Sequence, residues 1–114
     1  MEAKAKQTNI TMPARKIRRV INTVRGKLAN EALNILRFMP YAAARVVEKN
    51  LVAAIANASQ KGLNSDSLFV SEVFADEAVT YKRARCRAQG RMYRRLKRNS
   101  HLTIKVSTLD SKAK

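Results

Sequence analysis

Tyr81-Lys82-Arg83-Ala84-Arg85-Cys86-Arg87-Ala88-Gln89-Gly90-Arg91-Met92-Tyr93-Arg94-Arg95-Leu96-Lys97-Arg98, followed past Asn99-Ser100-His101 by Leu102-Thr103-Ile104-Lys105-Val106-Ser107, is the stretch in which two incompatible demands meet. Its second part alternates cleanly. Leu102, Ile104 and Val106 face one way and Thr103, Lys105 and Ser107 the other, which is a strand buried on one side and suits an antiparallel sheet. Its first part carries nine basic residues from Lys82 to Arg98 and no acid. A core cannot absorb that charge. The turn signal inside it is Gln89-Gly90. The simplest geometry is a long hairpin over about 78–98 that leaves the domain, its tip near Arg87–Gly90. Arms of about ten residues reach roughly 33 Å at ~3.3 Å per residue. A free two-stranded ribbon of that length is marginal in water, so an external, anionic partner is expected to hold it.

Upstream, the pattern is helical. Met1 to Ile10 alternates weakly and reads as a short edge strand. Pro13 suits the first turn of a helix, with Thr11 as its cap. Ile17, Val20, Ile21 and Val24 then form one apolar stripe that Gly26 terminates. Asn30 is placed to cap a second helix, with Glu31 in its first turn and Ala32, Ile35, Leu36 and Met39 inward, until Pro40 stops it. A third helix runs from near Tyr41 toward Lys61, with Val47, Leu51, Ala54, Ile55 and Ala58 inward and Gly62 at its end. After the loop Asn64-Ser65-Asp66, Leu68 to Phe74 is strand-like with imperfect alternation. The expected fold class is α+β, with three helices packed on a small three-stranded antiparallel sheet and a long protruding basic hairpin. A single domain over 1–114 is expected.

Charge narrows the function. Lys and Arg number 24 against 8 Asp and Glu, a formal net charge of +16 and a pI near 11.0, so the default partner is nucleic acid. The hydrophobic fraction of 46% is too high for a disordered tail. Residues 41–76 hold 3 basic and 4 acidic residues and read as scaffold, whereas residues 1–40 hold 9 basic against 2 acidic. On the first helix Arg15, Arg18, Arg19, Asn22 and Arg25 lie away from the apolar stripe with Lys16 nearby, and Lys27 follows. No acid between Glu2 and Glu31 is available to pair with them, unlike the mixed signs of an ordinary solvated face. Guanidinium forks match phosphate oxygens. In the hairpin, Arg83, Arg85, Arg87 and Arg91 share parity, and Tyr81 and Tyr93 are suited to stacking on bases.

Other chemistries are disfavoured. One Cys and one His exclude a His/Cys zinc site, a disulfide framework and catalysis needing two histidines. Three glycines argue against a glycine-rich phosphate cradle. Asp66, Glu72, Asp76 and Glu77 form no metal-binding motif, so no metal and no cofactor is expected, and a nuclease would lack its ion. His101, without an orienting carboxylate and a nucleophile, reads as a structural or RNA-contacting residue. The segment Met1 to Lys6 has no apolar signal-peptide core, no apolar run spans a membrane, and a lone thiol fits a reducing compartment. A membrane-active cationic helix is disfavoured because the densest charge is strand-like. A DNA-compacting protein remains the rival.

Order and spacing add a resemblance over roughly Lys4 to Ser107. Arg15-Lys16 with Arg18, Ile21 through Val24-Arg25-Gly26-Lys27, Glu31-Ala32-Leu33-Asn34-Ile35-Leu36 and Ala54-Ile55-Ala56-Asn57-Ala58 resemble the large ribosomal subunit protein 22 family, bacterial type. So do Lys82-Arg83, Arg87-Ala88-Gln89-Gly90-Arg91 and Leu96-Lys97-Arg98-Asn99-Ser100-His101-Leu102-Thr103. The resemblance implies a structural, non-enzymatic role in the large ribosomal subunit. The globular part would contact 23S-type rRNA by the polypeptide exit, and the hairpin would line the nascent-peptide tunnel. The implied rRNA-binding residues are Arg15, Lys16, Arg18, Arg19, Arg25, Lys27, Lys82, Arg83, Arg85, Arg87, Arg91, Arg94, Arg95, Lys97, Arg98 and His101. The implied tunnel-facing tip is Arg85, Cys86, Arg87, Ala88, Gln89 and Gly90. Implied partners are rRNA, neighbouring large-subunit proteins and the nascent polypeptide, without membrane insertion or homo-oligomers. The chain departs from the family pattern where Pro13-Ala14 replaces Ser-Pro and displaces the capping hydroxyl. Ala78-Val79 replaces Gly-Pro before the hairpin, and Cys86 replaces the tip proline. Phe38-Met39-Pro40-Tyr41 resembles the cyanobacterial and plastid branch, which tilts the expected location slightly toward the plastid.

Overall fold

The structure, a computed structural model, describes residues 2–64, 67–86 and 88–108. Its elements run β1 (Glu2–Ile10), α1 (Ala14–Val24), α2 (Ala29–Arg37), α3 (Ala42–Gln60), β2 (Leu68–Glu77), β3 (Tyr81–Cys86), β4 (Met92–Lys97) and β5 (Ser100–Thr108). The fold is α+β. An antiparallel sheet of order β1-β5-β2 packs one face on the three helices, and β3 pairs with β4 as a separate ribbon.

The alternation at Leu102, Ile104 and Val106 places β5 at the centre of the sheet, where all three side chains are fully buried. They share one core with the α1 stripe Ile17, Val20, Ile21 and Val24, and with Val47, Leu51, Ala54 and Ala58 of α3. Alanines at 43, 44, 54 and 58 of α3 face inward, and Ala3 and Ala5 line the same side of β1. Small side chains on both elements allow a close approach. Ile35, Met39 and Ile55 are only partly buried at the margin of this core. Alternation in β2 is imperfect for a definite reason. The register with β5 shifts between Val70 and Glu72, so Ser71 is an extra residue that re-phases the strand.

Two expected caps differ. Pro13 and Leu28 occupy the N-cap positions of α1 and α2, and neither helix receives a side-chain cap. Thr11 therefore does not cap α1. Asn30 lies one residue inside α2, because Leu28 bridges to Phe69 of β2 and draws the helix start back. The displaced hydroxyl before Ala14 is thus not replaced. Gly26 does end α1: at φ +79° it takes a left-handed conformation disfavoured for other residues, and its N–H donates to the Val70 carbonyl at 3.1 Å.

Side chains from the helices and their ends cap part of each outer strand of the sheet. On the β1 side, Asn57 Nδ2 donates to the Lys4 carbonyl (2.8 Å) and Lys61 Nζ to the Glu2 carbonyl (2.9 Å), while buried Asn50 Nδ2 donates to the Ala5 carbonyl (3.3 Å). On the β2 side, Arg18 Nε and Nη2 both donate to the Ala75 carbonyl (3.1 and 2.8 Å), and Arg25 Nη2 donates to the Val73 carbonyl (2.7 Å). An open edge is a template for pairing with other chains. Here the carbonyls of Glu2, Lys4, Val73 and Ala75 are occupied by side chains of α1, α3 and the residues that follow them. Arg45 serves α2 in the same way, donating from Nη2 to the carbonyls of Leu36, Arg37 and Met39.

The hairpin is real and shorter in its paired part than expected. Each arm is a six-residue strand, from Tyr81↔Lys97 to Cys86↔Met92. Its root is pinned: Ala78 N–H donates to the Asn99 carbonyl (2.9 Å), Asn99 Nδ2 to the Val79 carbonyl (3.0 Å), and Ser100 Oγ to the Met12 carbonyl (2.8 Å). Beyond the root, β3 and β4 pack chiefly on each other. The molecule measures 62 × 25 × 22 Å with a radius of gyration of 17.2 Å. A compact chain of this length would have about 13 Å, and the excess is the projecting ribbon.

Candidate nucleic-acid interface

The basic face of α1 divides into two groups with different work. At about 100° per residue, Arg18 and Arg25 lie roughly 20° apart on the border of the apolar stripe, while Arg15 and Arg19 project from the far side. The border pair reaches β2, as described. A guanidinium has five N–H donors. Arg18 spends two on Ala75 and Arg25 one on Val73. Their first task is closing the sheet edge, a role the spacing shared with Arg15 and Arg19 concealed. All of these basic residues are exposed, Lys16 and Lys27 included, so it is the bonds to β2 and not burial that set Arg18 and Arg25 apart. Arg19 lies over the Tyr41 ring, its guanidinium carbon 5.5 Å from the centroid.

The ribbon supplies the second basic surface. Register places Tyr81, Arg83, Arg85, Tyr93, Arg95 and Lys97 at positions of one face, and Lys82, Ala84, Cys86, Met92, Arg94 and Leu96 at positions of the other. This corrects one expectation. Arg91 does not continue a strand face with Arg83 and Arg85, because Cys86 pairs with Met92 and leaves Arg91 exposed in the turn. Tyr93, Arg95 and Lys97 complete that face instead. Arg87 lies outside the described residues. For Arg83, Arg85, Cys86, Ala88, Arg94 and Arg95 the description is confined to the backbone. Lys82, Lys97 and Arg98 are exposed. At the tip, Gln89 and Gly90 both take left-handed conformations (φ 63° and 73°), which reverses the chain where Gln89-Gly90 was expected to.

His101 sits in β5 opposite Asp76, and its Nδ1 accepts a hydrogen bond from the Asn9 N–H at 3.1 Å. Asn9, at φ 55°, lies where the β1 register shifts. The imidazole thus has a structural contact that holds this irregularity against β5. Asn99 is, with Asn50, a buried polar residue that the sequence pattern does not reveal, its one signal being the start of the last strand just after a basic run. Its Oδ1 finds no partner among the described residues. No described group of three His, Cys, Asp or Glu is arranged to hold a metal ion, and no described helix is long and apolar enough to cross a membrane.

The ribbon's lack of a core gives a measurable expectation. In the free protein, amide protons of Lys82–Cys86 and Met92–Arg95 exchange rapidly, whereas Leu51–Ala58 is protected, as local opening is easiest where few apolar contacts resist it. Strong protection along both arms of the isolated protein would contradict this.

Comparisons of the sequence with known proteins identify the family. The family model described as ribosomal protein L22p/L17e matches residues 5–107. The chain is 46% identical over 113 residues to the large ribosomal subunit protein uL22 of Bifidobacterium longum (strain DJO10A), covering 94% of this chain and 95% of that protein. It is 44% identical over 105 residues to the protein of the same name from Cutibacterium acnes, covering 91% of this chain and 69% of that one. These relatives are bacterial and give the plastid expectation no support. With a match across almost every element from β1 to β5, the chain belongs to the ribosomal protein L22p/L17e family.

Proposed function

We propose that the protein is a structural, non-enzymatic constituent of the large ribosomal subunit that binds 23S-type rRNA through two basic surfaces held at a fixed angle by the core. The observation that carries this reading is the separation of charge. The outer face of α1 and the β3–β4 ribbon are basic, while the 41–76 segment between them holds 3 basic and 4 acidic residues. Lys and Arg neutralise phosphates on either side of this scaffold. Neighbouring large-subunit proteins are partners, and the chain acts as one copy rather than as a homo-oligomer. The tip at residues 85–90 lines the nascent-polypeptide tunnel. A tagged chain travels with large subunits through a sucrose gradient. A chain found with DNA or at the top of the gradient would support the DNA-binding rival.

The two surfaces divide their labour. Reversing charge at Arg15, Lys16 and Arg19, with Arg18 left to hold β2, lowers subunit occupancy by roughly tenfold or more through lost phosphate contacts. Deleting Arg85, Cys86 and Arg87 leaves occupancy near that of the unaltered chain and changes macrolide response or nascent-chain stalling. Occupancy and drug response of tagged variants measure both. Loss of incorporation on tip deletion, with a silent helix variant, would overturn this assignment.

A further inference from the structure

A groove of about 250 Å³ opens between the segment entering α1 and the start of α3, lined by Pro13, Lys16, Arg19, Tyr41 and Ala42 among others, none of them acidic. On its wall the Arg19 guanidinium lies over the Tyr41 ring, and Tyr41 remains 46% exposed. Lys16 stands at the same opening. Both helices that meet here begin without a side-chain cap or an acidic residue in the first turn, so their fields reinforce the two cations. The groove is smaller than the roughly 300–1,000 Å³ typical of drug-sized ligands. That volume suits one base and not a longer segment.

We propose that this groove captures a single unstacked nucleotide of RNA. The base stacks against the Arg19–Tyr41 pair, and its phosphate is held by Lys16. Unpaired bases are recognised by stacking on aromatic rings and guanidinium planes, and the wall offers both surfaces as one unit. The proposal rests on the reading of this face as an RNA surface and adds to it a preference for an unpaired base, which a purely phosphate-binding helix would not show.

The test uses the full chain and two RNA stem-loops of the same sequence, one with a bulged 2-aminopurine and one with that base paired. The unaltered protein binds the bulged RNA more tightly and changes its 2-aminopurine emission on binding. Tyr41→Ala weakens binding to the bulged RNA by roughly 5- to 150-fold, the range for loss of one base–aromatic stack, and leaves the paired RNA unaffected. Tyr41→Phe keeps the preference. Equal binding of both RNAs by the unaltered protein, with steep salt dependence, would overturn the nucleotide groove and leave the phosphate reading standing. Binding of neither RNA would overturn both. Equal losses on both RNAs in Tyr41→Ala would also overturn the groove. So would normal RNA binding by that variant with loss from subunits, an outcome that would assign the groove to a protein neighbour.

Discussion

Affinity of the full chain for large-subunit rRNA falls roughly a thousandfold between about 50 and 200 mM monovalent salt, if six phosphates are neutralised. Each neutralised phosphate releases condensed counterion, giving a log–log slope of about −0.7 to −0.9 per contact. The two basic surfaces make six contacts reasonable: Arg15, Lys16, Arg19 and Lys27 are exposed on or beside α1, and Lys82, Arg91, Lys97 and Arg98 are exposed on or beside the ribbon. Filter binding over a salt series measures the slope. A slope near zero would show that phosphate neutralisation is not the source of affinity.

Replacing Arg18 and Arg25 together by alanine destabilises the fold by at most about 3–6 kcal/mol, taking one charge-assisted hydrogen bond at ~1.5–3 kcal/mol for each of the two carbonyls. The carbonyls of Ala75 and Val73 lose their donors, and that part of the β2 edge is uncovered. Thermal melting detects the loss, and self-association is expected to rise with it. The comparison variant is Arg15→Ala with Arg19→Ala, which touches no β2 carbonyl and melts close to the unaltered chain. Equal melting of both double variants would show that the edge contacts contribute nothing.

That contrast marks where sequence reading stopped. The α1 stripe, the β5 alternation and the hairpin were legible because burial imposes a period on apolar residues, and periods survive in a linear text. Arginines at 15, 18, 19 and 25 share one composition signal, and only a β2 edge close enough to touch separates Arg18 and Arg25 from the rest. The stripe-border position of those two, at i and i+7, was the available clue. Ser71 could not be identified as a bulge from its own strand, since a re-phasing is defined by the partner β5. Asn50 and Asn99 are buried because each meets a particular main-chain acceptor, and polar burial leaves no periodic trace. The groove at Tyr41 joins segments distant in sequence, so its residues were read singly: Lys16 and Arg19 as phosphate ligands, Tyr41 as the start of a helix.

Imaging a large subunit that carries this chain, at side-chain resolution, tests the central claim most directly. The account predicts Arg15, Lys16 and Arg19 within hydrogen-bond reach of rRNA phosphates and the β3–β4 ribbon embedded in rRNA, while Arg18 and Arg25 remain on the carbonyls of Ala75 and Val73. An outer α1 face open to solvent, with the ribbon free of RNA, would contradict it.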